Sequence, residues 1–240
     1  MKTFIWLVLV LNLGFCCISK AQLPIKENQD LYFDVWVKEH RPIKKEALLQ
    51  ANTIADVIPG YPVNWISDYS SIEITTISKG TKLKAVSSNT VLTAEQKKLL
   101  NNLMIGSELI VEVFYAEKID VTKIKEPRKM HTEFTISPEM NASYVGGMKI
   151  LMSYLKENAI NKIPKNLVKT FKQSAVIFTV NEEGVVTGSA ISKTTGDKAT
   201  DQLLLDALSK MPKWMPAKTK DGKSISQVFE FTIRSASEGC

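Results

Sequence analysis

The sequence predicts an α+β chain of two small modules, each running helix–strand–strand–helix–strand around a three-stranded antiparallel sheet. Two patterns predict it. Stretches with an apolar residue every three or four positions are interleaved with stretches where every second residue is apolar. The same order of stretches occurs twice with matched spacing: Pro62 to Ile74 and Pro164 to Val176 are each 12 residues apart. That parallel suggests an internal structural repeat. At 240 residues, with 44% apolar and 23% charged side chains, the chain has material for one large or two small cores.

The N-terminus reads as an export signal, residues 1–21. Lys2 precedes an apolar run of 15 residues from Phe4 to Ile18, and Ser19-Lys20-Ala21 places small residues before a cleavage between Ala21 and Gln22. The run is shorter than the roughly 20 residues of a membrane span. Leu13-Gly14-Phe15-Cys16 offers a lipidated Cys16 as an alternative, and an uncleaved anchor is a third. Cleavage removes Cys16 and Cys17 and leaves Cys240, so no internal disulfide is expected. It also removes Lys2 and Lys20, leaving 29 basic against 25 acidic residues, too mild an excess for a nucleic-acid binder.

The first module covers residues 22–117. Leu31 to Val37 reads as an extra strand that pairs with its own sheet or braces the first helix. Ile43, Ala47, Leu48, Ala51, Ile54, Ala55 and Ile58 predict one amphipathic helix, ended by Pro59-Gly60-Tyr61-Pro62. Ile72 to Thr76 and Leu83 to Val86 form a hairpin across Ser78-Lys79-Gly80-Thr81. Thr93 and Gln96 fit a capping box for a helix through Leu103. Leu109 to Tyr115 is the closing strand. Residues 118–143, lysine-rich with Pro127 and Pro138, read as a linker.

The second module covers residues 144–234, with 235–240 a tail. Val145 to Asn158 predicts a helix, Val176 to Val180 and Val186 to Ile191 a hairpin across Asn181-Glu182-Glu183-Gly184, and Leu203 to Met211 a helix capped by Thr200. Pro212 ends that helix, and Phe229 to Ile233 alternate as the last strand. Trp214, flanked by Pro212 and Pro216, reads as a structural corner plugging the sheet end; Trp36 and Trp65 read as core.

In the order Gly146-Gly147, Tyr154-Leu155, Phe178-Thr179-Val180, Gly184-Val185 and Met211-Pro212-Lys213-Trp214 with Pro216, residues 144–234 resemble the TonB C-terminal domain family. Two departures are visible. Ile163 stands where the family usually has Tyr, and Lys172-Gln173-Ser174 stand where it often has Gly. The resemblance implies a periplasmic module that binds a TonB-dependent outer-membrane transporter by strand addition. The partner-binding edge strand carried over is Val228, Phe229, Glu230, Phe231, Thr232 and Ile233. The resemblance implies no cofactor.

Enzyme chemistry is not expected. His40 and His131 are the histidines, neither at metal-ligand spacing, and no phosphate loop or nucleophile elbow is present. The expected function is therefore a periplasmic binding adaptor, membrane-attached only if lipidated at Cys16 or left uncleaved. An anchored energy transducer and a structural envelope component are the alternatives. The short apolar run holds no polar coupling residue, which favours the adaptor.

Overall fold

The computed structural model describes residues 31–117, 128–168, 171 and 173–235. The leader and the Ala21–Gln22 cleavage expected from the sequence, with Cys16 and the terminal Cys240, fall outside the described residues. In chain order the elements are β1 (Leu31–Val37), β2 (Arg41–Ile43), α1 (Lys45–Leu49), α2 (Ile54–Val57), a 3-10 turn (Val63–Trp65), β3 (Ile66–Ser78), β4 (Thr81–Ser87), α3 (Ala94–Asn101), β5 (Glu108–Glu117) and β6 (Arg128–Ile136). There follow β7 (Ser143–Tyr144), α4 (Met148–Asn158), α5 (Lys165–Val168), β8 (Gln173–Val180), β9 (Val186–Lys193), α6 (Lys198–Ser209), β10 (Trp214–Met215), β11 (Ala217–Lys218), β12 (Ser224–Ile225) and β13 (Gln227–Ser235). The architecture is α+β, with strands predominating.

Two larger sheets carry the fold, in the strand orders β2-β6-β5-β3-β4 and β1-β13-β8-β9. Each replaces the expected three strands with more: five in one, four in the other. Within each, a hairpin is followed by a helix and by a strand that returns beside the hairpin's first strand. That gives β4-β3-β5 around α3 and β9-β8-β13 around α6, a split β–α–β arrangement in both. Each sheet has its own buried apolar cluster. Leu48, Ile54, Val57 and Leu100 pack on Ile72, Ile74, Val111 and Phe134 in the first. Leu151, Leu155, Leu204 and Leu208 pack on Val176, Phe178, Phe229 and Phe231 in the second. Full burial of an aliphatic or Phe side chain contributes about 1.5–3 kcal/mol, so these helix-to-sheet contacts decide which face each amphipathic helix presents.

Local chemistry accounts for the elements that match expectation. Lys79 and Gly80 both have positive φ, the requirement of a two-residue hairpin turn that follows the strand twist. At α3 the Gln96 amide donates to Thr93 Oγ1 at 3.1 Å and the Thr93 amide donates to Gln96 Oε1 at 3.0 Å, the expected capping box. Gln96 then has a second use. Its buried Nε2 donates to the Ile72 carbonyl at 3.1 Å and to Ser87 Oγ at 3.2 Å, tying α3 to the hairpin it follows.

Four local expectations fail as well, each for a physical reason. The helix expected over Ile43–Ile58 is broken in two, with Ile43 in β2. Asp56 Oδ2 accepts the amides of Asn52 and Thr53, so the chain stops and restarts at Thr53, while Leu48, Ala51, Ile54 and Val57 remain buried. The cap of α6 is Asp197, whose side chain accepts the Thr200 amide at 2.8 Å; Thr200 lies in the first turn. The expected linker contains β6, paired along β5 from Glu108 to Tyr115. Its alternation hides among lysines because one face of the strand is solvated. Finally Trp36 and Trp65 are not core: they are 42% and 69% exposed.

Gly184 is required where it stands. Its φ is +77°, and a Cβ there would lie 2.0 Å from the Trp214 carbonyl oxygen. Gly222 has a similar φ of +76° and open space around it. Gly222→Ala is expected to cost about 1–2 kcal/mol, the penalty of a side chain in the left-handed region. Gly184→Ala is expected to cost more, because the corner must also open. Urea midpoints of the two variants compare them directly, and equal shifts would show that the Trp214 carbonyl simply yields.

Candidate strand-docking site

The last strand, β13, is the spine of the four-stranded sheet. Phe229, Phe231 and Ile233 point into the core at 5%, 0% and 1% exposure, while Val228, Glu230 and Arg234 alternate to the open face. Phe229 stacks on Phe178 with ring centres 5.5 Å apart and lies 4.9 Å from the Trp214 ring. Trp214 is 4% exposed and meets Tyr144 edge-on at 5.4 Å. Its Nε1–H is directed at Met211 Sδ at 3.0 Å, and its amide donates to the Gly184 carbonyl at 2.7 Å. Trp214 and Met215 pair with Tyr144 and Ser143. Trp214 is thus enclosed beside the sheet, with Pro212 and Pro216 on either side of it in the chain.

The edge expected at Val228–Ile233 is not free. One side of β13 pairs with β8 from Gln227 to Arg234. The other pairs antiparallel with β1, from Leu31↔Ser235 to Val37↔Phe229. The extra strand therefore pairs neither with its own sheet nor with the first helix; it crosses to the other sheet. The reason lies in its alternation. Leu31 and Val35 are buried in the second core, Phe33 and Val37 pack against it, and Phe33 meets Phe231 edge-on at 6.3 Å. On the open face Lys38 Nζ lies 2.9 Å from Glu230, and Arg234 lies over the Tyr32 ring at 5.9 Å. The Lys38 amide donates to the Val228 carbonyl at 2.9 Å, which sets the phase of the ladder. Backbone groups of Val228, Glu230, Thr232 and Arg234 face β1, and those of Phe33, Val35 and Val37 face outward.

The outward edge of β1 is blunted. The Val35 amide donates to Asp34 Oδ1 at 2.8 Å, so a carboxylate stands where a further strand would bond. At the opposite edge, β9 meets β8 through two register irregularities, and its Gly188 has φ of +61°. Such bulges twist an edge away from flat pairing.

Two other places gather polar side chains. A cleft of about 620 Å³ lies between α1, the loop joining α3 to β5 and the β11–β12 hairpin, lined by four lysines and four acidic residues with a few apolar side chains. That balance selects no ligand charge. On the outer face of β5 and β6, His131 lies 3.1 Å from Glu112 and 2.9 Å from Glu133, with Lys129 2.7 Å from Glu112. His40 lies 3.3 Å from Glu133. Hydrogen bonds to Glu133 and then Glu112 raise the His131 pKa; bonds from Lys129 and then His131 lower that of Glu112, and the bond from His131 lowers that of Glu133. Among the described residues no group of three or more histidine, cysteine or acidic side chains is placed to hold a metal ion, and no helix is long and apolar enough to cross a membrane.

Comparisons of the chain with protein-family models, with curated proteins and with solved structures return no match.

Two outcomes are expected. Replacing Asp34 by Ala frees the Val35 amide and should raise self-association at the β1 edge, visible as added dimer in light scattering; an unchanged monomer fraction counts against the edge role. The raised His131 pKa stabilises the folded state fully below pH 6.5, the ordinary value, and that contribution fades as pH rises through the raised folded value. Exposure limits it to under about 1 kcal/mol. Melting curves from pH 5.5 to 8 should therefore slope downward by less in His131→Gln than in the unaltered chain.

Proposed function

We propose that the chain is an exported envelope protein whose C-terminal half, built like a TonB C-terminal domain, captures an extended segment of a partner by strand addition. The partner class is a TonB-dependent outer-membrane transporter or another envelope protein, and the setting is the periplasm. The role is binding, without catalysis.

One observation supports this reading above the others. The strand that the resemblance points to, Val228–Ile233, accepts a strand from nearly 200 positions earlier in the chain, with continuous register over seven residues. A sheet that completes itself with a distant segment recognises extended backbone through its ladder groups and selects by alternate side chains. The aromatic corner of Trp214, Phe178 and Phe229 sets the floor against which those side chains pack.

The test is an amide-resolved titration. Isotope-labelled full chain is mixed with a synthetic peptide of a transporter's periplasm-facing N-terminal segment. Shifts are expected at Val228 to Arg234 and at Leu31 to Val37, with the five-stranded sheet unmoved. Saturating peptide without shifts, or shifts confined to the β3–β6 region, overturns the reading.

A further inference from the structure

We propose that β1 is an exchangeable strand: it fills the slot beside β13 until an extended segment of another protein, with the same alternating apolar pattern, takes its place. The proposal rests on the strand-addition reading above and gives it a regulated form. Three features carry it.

The first is that both outer edges of the four-stranded sheet resist addition. Asp34 occupies the bonding position at Val35 on one side, and the irregular register with Gly188 twists the other. The position that β1 itself holds is the regular one, and it leads to the Val228, Glu230, Thr232 and Arg234 backbone groups.

The second is that the slot does not depend on β1 for its floor. Phe229 packs on Phe178 and Trp214, and β13 is held to β8 over eight register pairs. Leu204 and Leu208 of α6 and Leu151 and Leu155 of α4 close the core beneath. Removing β1 exposes part of Phe231 and Ile233 but leaves these contacts in place.

The third is how little of β1 is buried. Leu31 and Val35 are enclosed, at 6% and 4% exposure, whereas Tyr32 and Trp36 are 58% and 42% exposed. Its onward connection is the short joint Lys38–His40 into β2. Detachment therefore needs rotation about a few residues, withdrawal of the two enclosed side chains and loss of the Phe33 and Val37 packing at the margin of the core, without unfolding either core.

The seated strand also states what a replacement must look like. It runs antiparallel to β13. It places apolar side chains at three alternate positions facing Ile233, Phe231 and Phe229. On the open face it offers an aromatic ring to Arg234 and a basic residue to Glu230, as Tyr32 and Lys38 do. Because β1 is tethered, it competes at high effective concentration, so a partner segment must be tighter than β1 alone or arrive when β1 is drawn away.

The experiment uses the full chain with Cys16→Ser, Cys17→Ser and Cys240→Ser as background. One derivative adds Leu31→Cys with Ser235→Cys, Cα partners outside the recognition positions named above, so that oxidation ties β1 down. A second adds Val35→Asn, which loosens β1. The probe is a fluorescent synthetic peptide of residues 29–40, read by anisotropy. The Val35→Asn chain should bind at least tenfold more tightly than the background chain. Oxidation of the tied chain should abolish binding, and reductant should restore it. Equal binding by the oxidised and reduced forms overturns the proposal, as does no binding by the reduced form at millimolar peptide. Should Val35→Asn unfold the chain, the oxidised and reduced pair still decides. Exchange of this peptide without any response to transporter segments would keep the device and remove the proposed partner class; the reverse would keep the function and remove the device.

Discussion

The pairing of Leu31–Val37 with Gln227–Ser235 is the contact on which the arrangement of the chain depends. It joins the first strand described to the last and carries the N-terminal half onto the C-terminal sheet. The second core is thereby built from both ends of the described chain, and the short Lys38–His40 joint then leads from its sheet into β2 of the other. A second seam supports it: Met140 and Lys218 exchange backbone hydrogen bonds, and buried Gln227 receives the Ala142 amide while donating to Asn141. Each of these polar groups thus has a partner, which a low-dielectric interior demands.

The Trp214 corner does comparable duty inside the second core. Its ring touches Tyr144, Phe178 and Phe229, and its backbone touches Gly184. One residue thus brings together the hairpin turn, the strand before α4, and the two central strands. Close approach of the Gly184 backbone to the Trp214 carbonyl explains why a glycine is needed in a turn whose positive φ Asn could also adopt.

Elements built from local chemistry are legible in the sequence. The Thr93–Gln96 capping box, the Lys79-Gly80 turn, the Asn181–Gly184 turn and the alternating strands β5, β8 and β13 are each specified within a few residues. The corner at Trp214 is legible too, because prolines on both sides leave its large ring few places to go but inward. The elements that are not legible share a common cause: each turns on a choice among partners that the local pattern does not contain. The break at Thr53 turns on Asp56 choosing the amides of Asn52 and Thr53 over a continuous helix. Strand β6 turns on pairing with β5, which supplies the apolar neighbours that its lysine-rich surroundings mask. Trp36 alternates in a strand as core residues do, yet it falls on the open face of the sheet.

The candidate site divides along the same line. Sequence alone is enough to make Val228–Ile233 a strand with Phe229, Phe231 and Ile233 on its buried face, because alternation has a period that backbone geometry dictates. What lies beside that strand is settled by the tertiary fold. A strand's edge carries no side-chain signature for its neighbour: its amides and carbonyls are the same in every residue, so any extended segment within reach competes for them. Leu31–Val37 wins because its alternate side chains fit a core nearly 200 residues away, and such complementarity exists only once both cores have formed.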